Sequence, residues 1–307
     1  MAVTVLGALV ALELGLRFIF GLGHPVLYDN TYAYGYRPVA NQQLARTARK
    51  RIRINNLALR ATRDWPAVRD TSQLRLLYLG DSVTYGGSNI DDQETFAEIS
   101  AADLTRRIHR DVLVGNAGVN GWGPQNILGL VRHEGFLASD VVVIVGQEAD
   151  FERALIHVAE TPFWNRRPAS ALEELLSSHV AYPVGSHRFL PKDRFVSAAE
   201  MDSVKRANLD ALLEVARLAR TSGARVLMVW HPSRDAASGN TDDAYRQAYL
   251  NRCGAEGFTT FDGYPLVRRE PQPGQLYMDA LHLDVRGHAL YGRSLAEALA
   301  DLVRSTS

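Results

Sequence analysis

The chain has 307 residues, 46% of them hydrophobic and 22% charged, and its formal net charge is zero. That describes a globular chain with room for one large domain or two small ones, and the absence of a basic surplus argues against nucleic acid as a partner. Cys253 is the only cysteine, which excludes an intrachain disulfide and a cysteine-based metal site. The histidines outside the motifs described below show no metal-ligand spacing, and no cofactor or metal is expected.

Residues Ala2 to Leu22 form an apolar stretch close to the roughly 20 residues that a membrane-spanning helix needs. Glu13 and Arg17 interrupt it, four residues apart, so they share a helix face and can pair. An amphipathic or buried helix would explain the stretch too. The preferred expectation is a signal anchor over residues 1–23, in contact with the membrane through residues 2–22; no Ala-x-Ala-like site follows closely. The basic residues from Arg46 to Arg53 lie beyond the stretch, and the positive-inside rule taken alone leaves the rest of the chain in the cytoplasm.

Residues 24–73 read as an extended arm and linker. His24 to Ala61 is rich in Tyr, Asn, Pro and Arg, and Tyr28, Tyr32, Tyr34 and Tyr36 suit either a membrane interface or packing on the domain. Arg51 to Ala61 alternates at first, which predicts a short strand followed by a turn. From Leu74 onward, strands alternate with helices. Apolar runs at Leu74–Leu79, Asp111–Val114, Asp140–Gly146, Arg225–Trp230 and Phe258–Phe261 predict five strands. Helical spacing covers Glu94–Ile108, Pro124–Phe136, Met201–Ser222, Asp242–Cys253 and Gly287–Val303. The expected fold class is α/β: a three-layer α/β/α sandwich around a mostly parallel five-stranded sheet, occupying residues 74–307. Residues 151–200 lack a clean period and contain four prolines, so they read as an insertion of the lid or binding-loop kind, with a short helix at Ser170–Leu176.

Three short blocks carry chemistry. Gly80-Asp81-Ser82 follows the first core strand, where open parallel sheets place reactive groups. Taken alone it is also an ordinary turn. Asp279 and His282 are spaced so that the carboxylate can accept from one imidazole nitrogen while the other faces a hydroxyl, though a capping Asp beside a surface His has the same spacing. Asn116-Ala-Gly118-x-Asn120-Gly121 follows the second strand, and a glycine there leaves its N–H open to a developing oxyanion, though alone the block reads simply as a Gly/Asn turn. His231, after the fourth strand, either lines a pocket or plays a structural part beside Pro232, with the second favoured. Trp122 and Trp164 suit stacking on sugars, and packing in the core or a lid explains them equally well.

In order and spacing, from Leu74 to about Tyr291, these blocks resemble the SGNH/GDSL hydrolase superfamily. The resemblance implies its flavodoxin-like fold. It also implies Ser82 as nucleophile, His282 as base, Asp279 as the group that orients the base, and the N–H groups of Ser82 and Gly121 as oxyanion donors. Gly287-His288 continues the last block. The third block departs from the family's Gly-x-Asn-Asp: here the strand runs into Gly146-Gln147-Glu148-Ala149-Asp150, so Ala149 stands where the asparagine donor is expected. Gln147 is the nearest side-chain amide that could replace it. The N-terminal part, with Leu-Glu-Leu-Gly-Leu-Arg, Tyr-Gly-Tyr-Arg-Pro and Arg-Ile-Asn-Asn-Leu-Ala-Leu-Arg, resembles the membrane-anchored bacterial members. Those members imply a catalytic domain on the periplasmic or extracellular side, often acting on polysaccharide. The expected function is a serine-dependent ester hydrolase acting on a carbohydrate or lipid acyl ester. The alternatives are an O-acetyltransferase acting on an envelope or exported polysaccharide, and a non-catalytic glycan-binding protein of the same fold.

Overall fold

The computed structural model describes residues 2–46, 49–153, 164–181, 198–239 and 244–305. Its centre is a five-stranded sheet made of β5 (Leu74–Leu79), β6 (Val112–Asn116), β7 (Val141–Gln147), β8 (Arg225–His231) and β9 (Thr259–Asp262), in the order β6-β5-β7-β8-β9. Every neighbouring pair in it is parallel. The first core strand therefore lies between the second and the third, and the loops leaving β5 and β7 diverge. That switch point is where open α/β sheets form a crevice.

The strands are apolar runs because both faces are covered. In β7, Val142 and Ile144 join one hydrophobic cluster, while Val141, Val143 and Val145 join the other. Period-two alternation thus divides a continuous valine run between two cores. Burying each Val or Leu side chain is worth roughly 1.5–3 kcal/mol, so β5 and β7, buried along their whole length, anchor the domain.

On one face lie α3 (Phe96–Ile108) and α10 (Val285–Arg304); on the other lie α4 (Pro124–Glu134), α6 (Ala198–Thr221) and α8 (Ala244–Ala255). The short α7 (Arg234–Ser238) and α9 (Gly263–Arg268) follow β8 and β9. Thr95 caps α3 and Asp284 caps α10, each through its side-chain oxygen to the third helical N–H. Each of the five strands and five long helices expected from the sequence is found, with ends shifted by no more than three residues.

The N-terminal arm packs into the core. A hairpin of β1 (Tyr28–Thr31) and β2 (Gly35–Pro38) is followed by a second, β3 (Gln42–Arg46) and β4 (Lys50–Ile54). Tyr28, Tyr34 and Tyr36 are buried with α4 and the sheet, whereas Tyr32 is 98% exposed. Of the two sites open to these tyrosines, three take packing on the domain. Arg60 donates its backbone N–H to the Asn116 carbonyl, so the arm covers the open edge of β6.

Helix α1 (Ala2–Phe20) keeps most of its apolar side chains exposed, and over Val3–Phe20 its mean hydropathy is 2.0. By length and composition it can cross a membrane. The Glu13 carboxylate accepts from Arg17 at 2.6 Å and from the N–H groups of Ala171 and Leu172 at 2.8 and 3.1 Å. Those amides open the short α5 (Ala171–Leu175), whose N-cap is Ser170, as expected for that stretch. The rest of the 151–200 insertion lies largely outside the described residues.

Candidate active site

The strand-to-helix turn after β5 places Ser82 at the switch point. Asp81 caps the four-residue α2 (Ser82–Tyr85), its Oδ1 accepting from the Val83 N–H at 2.8 Å. Gly80 has to be glycine: a Cβ there would meet the Thr84 hydroxyl at 2.1 Å. As the first residue of α2, Ser82 presents an N–H that no helical carbonyl can accept.

His282 reaches Ser82 from the loop before α10. Its Nε2 lies 2.8 Å from Ser82 Oγ, and its Nδ1 lies 2.7 Å from Asp279 Oδ2. An ionised carboxylate only accepts, so Nδ1 carries the proton and Nε2 is left to accept from the hydroxyl. The other Asp279 oxygen accepts the N–H groups of Leu281 and His282, at 2.9 and 2.8 Å. Partial burial works against the Asp279 charge, but these two amides and the imidazole outweigh it and hold the carboxyl below its ordinary range. The residues singled out in the sequence thus come together across a separation of 200 positions.

The loop is fastened to the end of β8. His231 Nε2 lies 2.9 Å from the Leu281 carbonyl, and the Arg234 N–H donates to the Ala280 carbonyl at 2.8 Å. His231 is fully buried, and desolvation pushes it down to about 4, so it is neutral at physiological pH and Nε2 is the donor. Of its two readings, the structural one describes its contacts, and the element it supports is the His282 loop.

Gly121 sits in a turn closed by the Trp122 N–H to the Val119 carbonyl at 3.2 Å, with its own φ at +78°, a conformation open to glycine and costly for other residues. Its N–H donates to no backbone carbonyl among the described residues. The preceding turn is held against α2 by Asn116, whose amide donates to the Thr84 carbonyl at 2.6 Å and whose oxygen accepts from the Gly118 N–H at 2.9 Å. Trp122 is 1% exposed and donates its indole N–H to the Tyr36 carbonyl. It belongs to the core rather than to a sugar-facing surface.

Gln147 does not take the role suggested for it. It is completely buried, and its amide nitrogen donates to Asp81 Oδ2 at 2.9 Å and to Asp150 Oδ1 at 3.3 Å. Its oxygen accepts from the Ala149 N–H at 2.9 Å. The side chain braces the floor beneath Ser82, with both faces of the amide engaged, and has no donor left for an oxyanion.

Sequence reasoning missed Arg153. Its Nη1 donates to Asp81 Oδ2 at 2.6 Å, to the Trp122 carbonyl at 2.8 Å and to Asp150 Oδ1 at 3.3 Å. Burial, followed by the neighbouring Asp81 charge, pushes Asp150 well above its ordinary range, and Arg153 pulls the other way. A guanidinium shared by two buried carboxylates joins the turns after β5, β6 and β7. The signal available was that acids at the ends of adjacent strands, Asp81 and Asp150, call for a cation.

No family model matches the chain, and no curated protein matches it. Among solved structures it is similar to a member of the lipolytic G-D-S-L family from Veillonella parvula, at 14% identity over 76% of this chain and 98% of that one, with a TM-score of 0.44. It is similar to a lipase/acylhydrolase from Enterococcus faecalis, at 16% identity over 74% and 95%, with a TM-score of 0.47. A third such structure is a catalytic mutant of an acetylxylan esterase from Geobacillus stearothermophilus, at 14% identity over 78% and 97%, with a TM-score of 0.47.

Proposed function

We propose that the chain is a serine-dependent ester hydrolase of the SGNH/GDSL type. The observation that carries the proposal is the continuous line from Ser82 Oγ through His282 to Asp279, at 2.8 and 2.7 Å. Ser82 Oγ attacks the ester carbonyl while His282 Nε2 takes its proton. The imidazolium that forms keeps its Nδ1–H on Asp279, which stays ionised. The negative charge on the former carbonyl oxygen is met by the N–H groups of Ser82 and Gly121. His282 returns the proton to the leaving alcohol, and a water molecule, deprotonated by the same imidazole, releases the acyl group.

Neither Ala149, which has no donor, nor Gln147, whose amide is engaged, supplies a side-chain contact to the oxyanion. Loss of one such donor typically costs about 10²–10³ in rate, so turnover is expected to be slow for a serine esterase. A decayed, purely glycan-binding site is disfavoured because nucleophile, base and orienting carboxylate remain in hydrogen-bonding order.

The substrate in this reading is an acyl ester carried by a carbohydrate. We further take α1 as a membrane anchor, with the catalytic domain outside the cytoplasmic membrane; the exposed apolar surface of α1 supports the anchor, and the resemblance supports the side. Ser82→Ala is expected to lower hydrolysis of an acetyl ester probe by at least about 10⁴-fold with the fold intact by circular dichroism. Unchanged hydrolysis in that variant contradicts the assignment.

A further inference from the structure

Beside the Ser82 turn lies a groove of about 280 Å³, between the N-terminal arm and the 164–181 segment. It is lined by Tyr85, one turn along α2 from Ser82, by Ser88, and by Asn120, the neighbour of Gly121. Trp164, Ser178, Arg46, Glu174 and Tyr28 line it too. The volume falls near the lower end of small-ligand pockets, about 300–1,000 Å³, which suits a ligand the size of a single ring.

The lining decides between the two kinds of acyl ester open to a serine esterase. An aliphatic chain would strip water from Asn120 and the two serines and return no hydrogen bond to them. A sugar ring has an apolar C–H face for an aromatic side chain and a hydroxyl edge for amides and hydroxyls.

Trp164 is held at the groove by three contacts. Its carbonyl accepts the Tyr28 N–H at 2.8 Å, its indole N–H donates to Ser178 Oγ at 3.1 Å, and the Arg166 guanidinium lies over the ring at 5.7 Å. The other three tryptophans, Trp65, Trp122 and Trp230, are buried at 2%, 1% and 4% exposure, while Trp164 is half-buried.

We propose that this groove is a saccharide-binding subsite, with Trp164 as its ring platform, which holds the sugar portion of the ester while Ser82 acts. Only the link to turnover rests on the esterase reading; binding can be measured without it. In the full-length Ser82→Ala protein in detergent, partially O-acetylated manno-oligosaccharide at millimolar concentration is expected to shift the emission attributable to Trp164. No shift overturns the subsite whether or not the chain is an esterase. With the native Ser82, Trp164→Ala is expected to raise KM for that oligosaccharide and to lower the preference for it over 4-nitrophenyl acetate by at least about tenfold, while Trp164→Phe keeps most of the preference. Equal losses on both esters, or an unchanged preference, would show that Trp164 only supports the fold. If neither ester is turned over by the native chain while the emission shift persists, the esterase reading fails and the subsite stands.

Discussion

At the scale of single residues, the legible part of the site was the part with local spacing. Asp279 and His282 sit three apart, and Ser82 follows an apolar run, so each block could be found within a few positions. Gln147, Arg153 and His231 act through partners 50 to 72 positions away, and no short window contains both ends of those bonds. Gln147 was singled out for its chemistry, a side-chain amide near the missing asparagine, but the two carboxylates beneath Ser82 claim that amide first. His231 yields a prediction in both rate and pH. His231→Leu removes the donor that holds the Leu281 carbonyl, and kcat for an acetyl ester is expected to fall about 10–100-fold with KM nearly unchanged. His231→Gln keeps a donor of similar reach and should recover most of the rate. A loss of the same size in both variants would contradict the positioning role. The imidazole's folded value of about 4 lies below its usual 6.5, so between those pH values the unfolded chain binds the extra proton. Stability is therefore full above about pH 6.5 and declines as pH falls toward 4, by an amount on the order of 3 kcal/mol. His288, pushed down to about 3 by burial and then by Arg60, adds to the decline in the same direction. The thermal midpoint of His231→Gln is expected to fall less steeply across this window than that of the native chain.

At the scale of elements, the five strands and five long helices could be read because each follows from one hydrophobic period. The arm was harder. Its tyrosines alternate with Asp, Asn, Ala and Gly, a pattern that fits a membrane interface as well as a hairpin, and only the packing of Tyr28, Tyr34 and Tyr36 against α4 and the sheet decides between them. The charges inside α1 were a similar puzzle. Glu13 costs little where it is, because Arg17 and the first amides of α5 surround it, which makes it a cap for another helix as well as half of an ion pair. Glu13→Leu makes α1 more apolar, yet it is expected to free α5. Hydrogen exchange at the Ala171 and Leu172 amides should quicken by about tenfold, as for the loss of roughly 1–2 kcal/mol of capping. Unchanged exchange at these two amides would show that α5 is held by its other contacts, the packing of Ala171 on Leu16 and Leu22 and the Arg46–Glu174 ion pair.

At the scale of the whole molecule, the β6-β5-β7-β8-β9 order brings the turns after β5, β6 and β7 to one edge, where Arg153 ties them together and the loop fastened to β8 delivers His282. The same edge opens onto the groove beside the arm. That groove also touches Pro25 and Val26, just past the end of α1, and Arg46, which donates to the Gly21 carbonyl. The proposed function makes Ser82 a nucleophile activated by His282 and Asp279. Its most direct test is covalent labelling of the full-length protein with a serine-directed fluorophosphonate, followed by peptide mapping. A single adduct on Ser82 is expected, abolished in Ser82→Ala and strongly slowed in His282→Ala. A folded protein that takes no label, or one labelled at another serine, would contradict it.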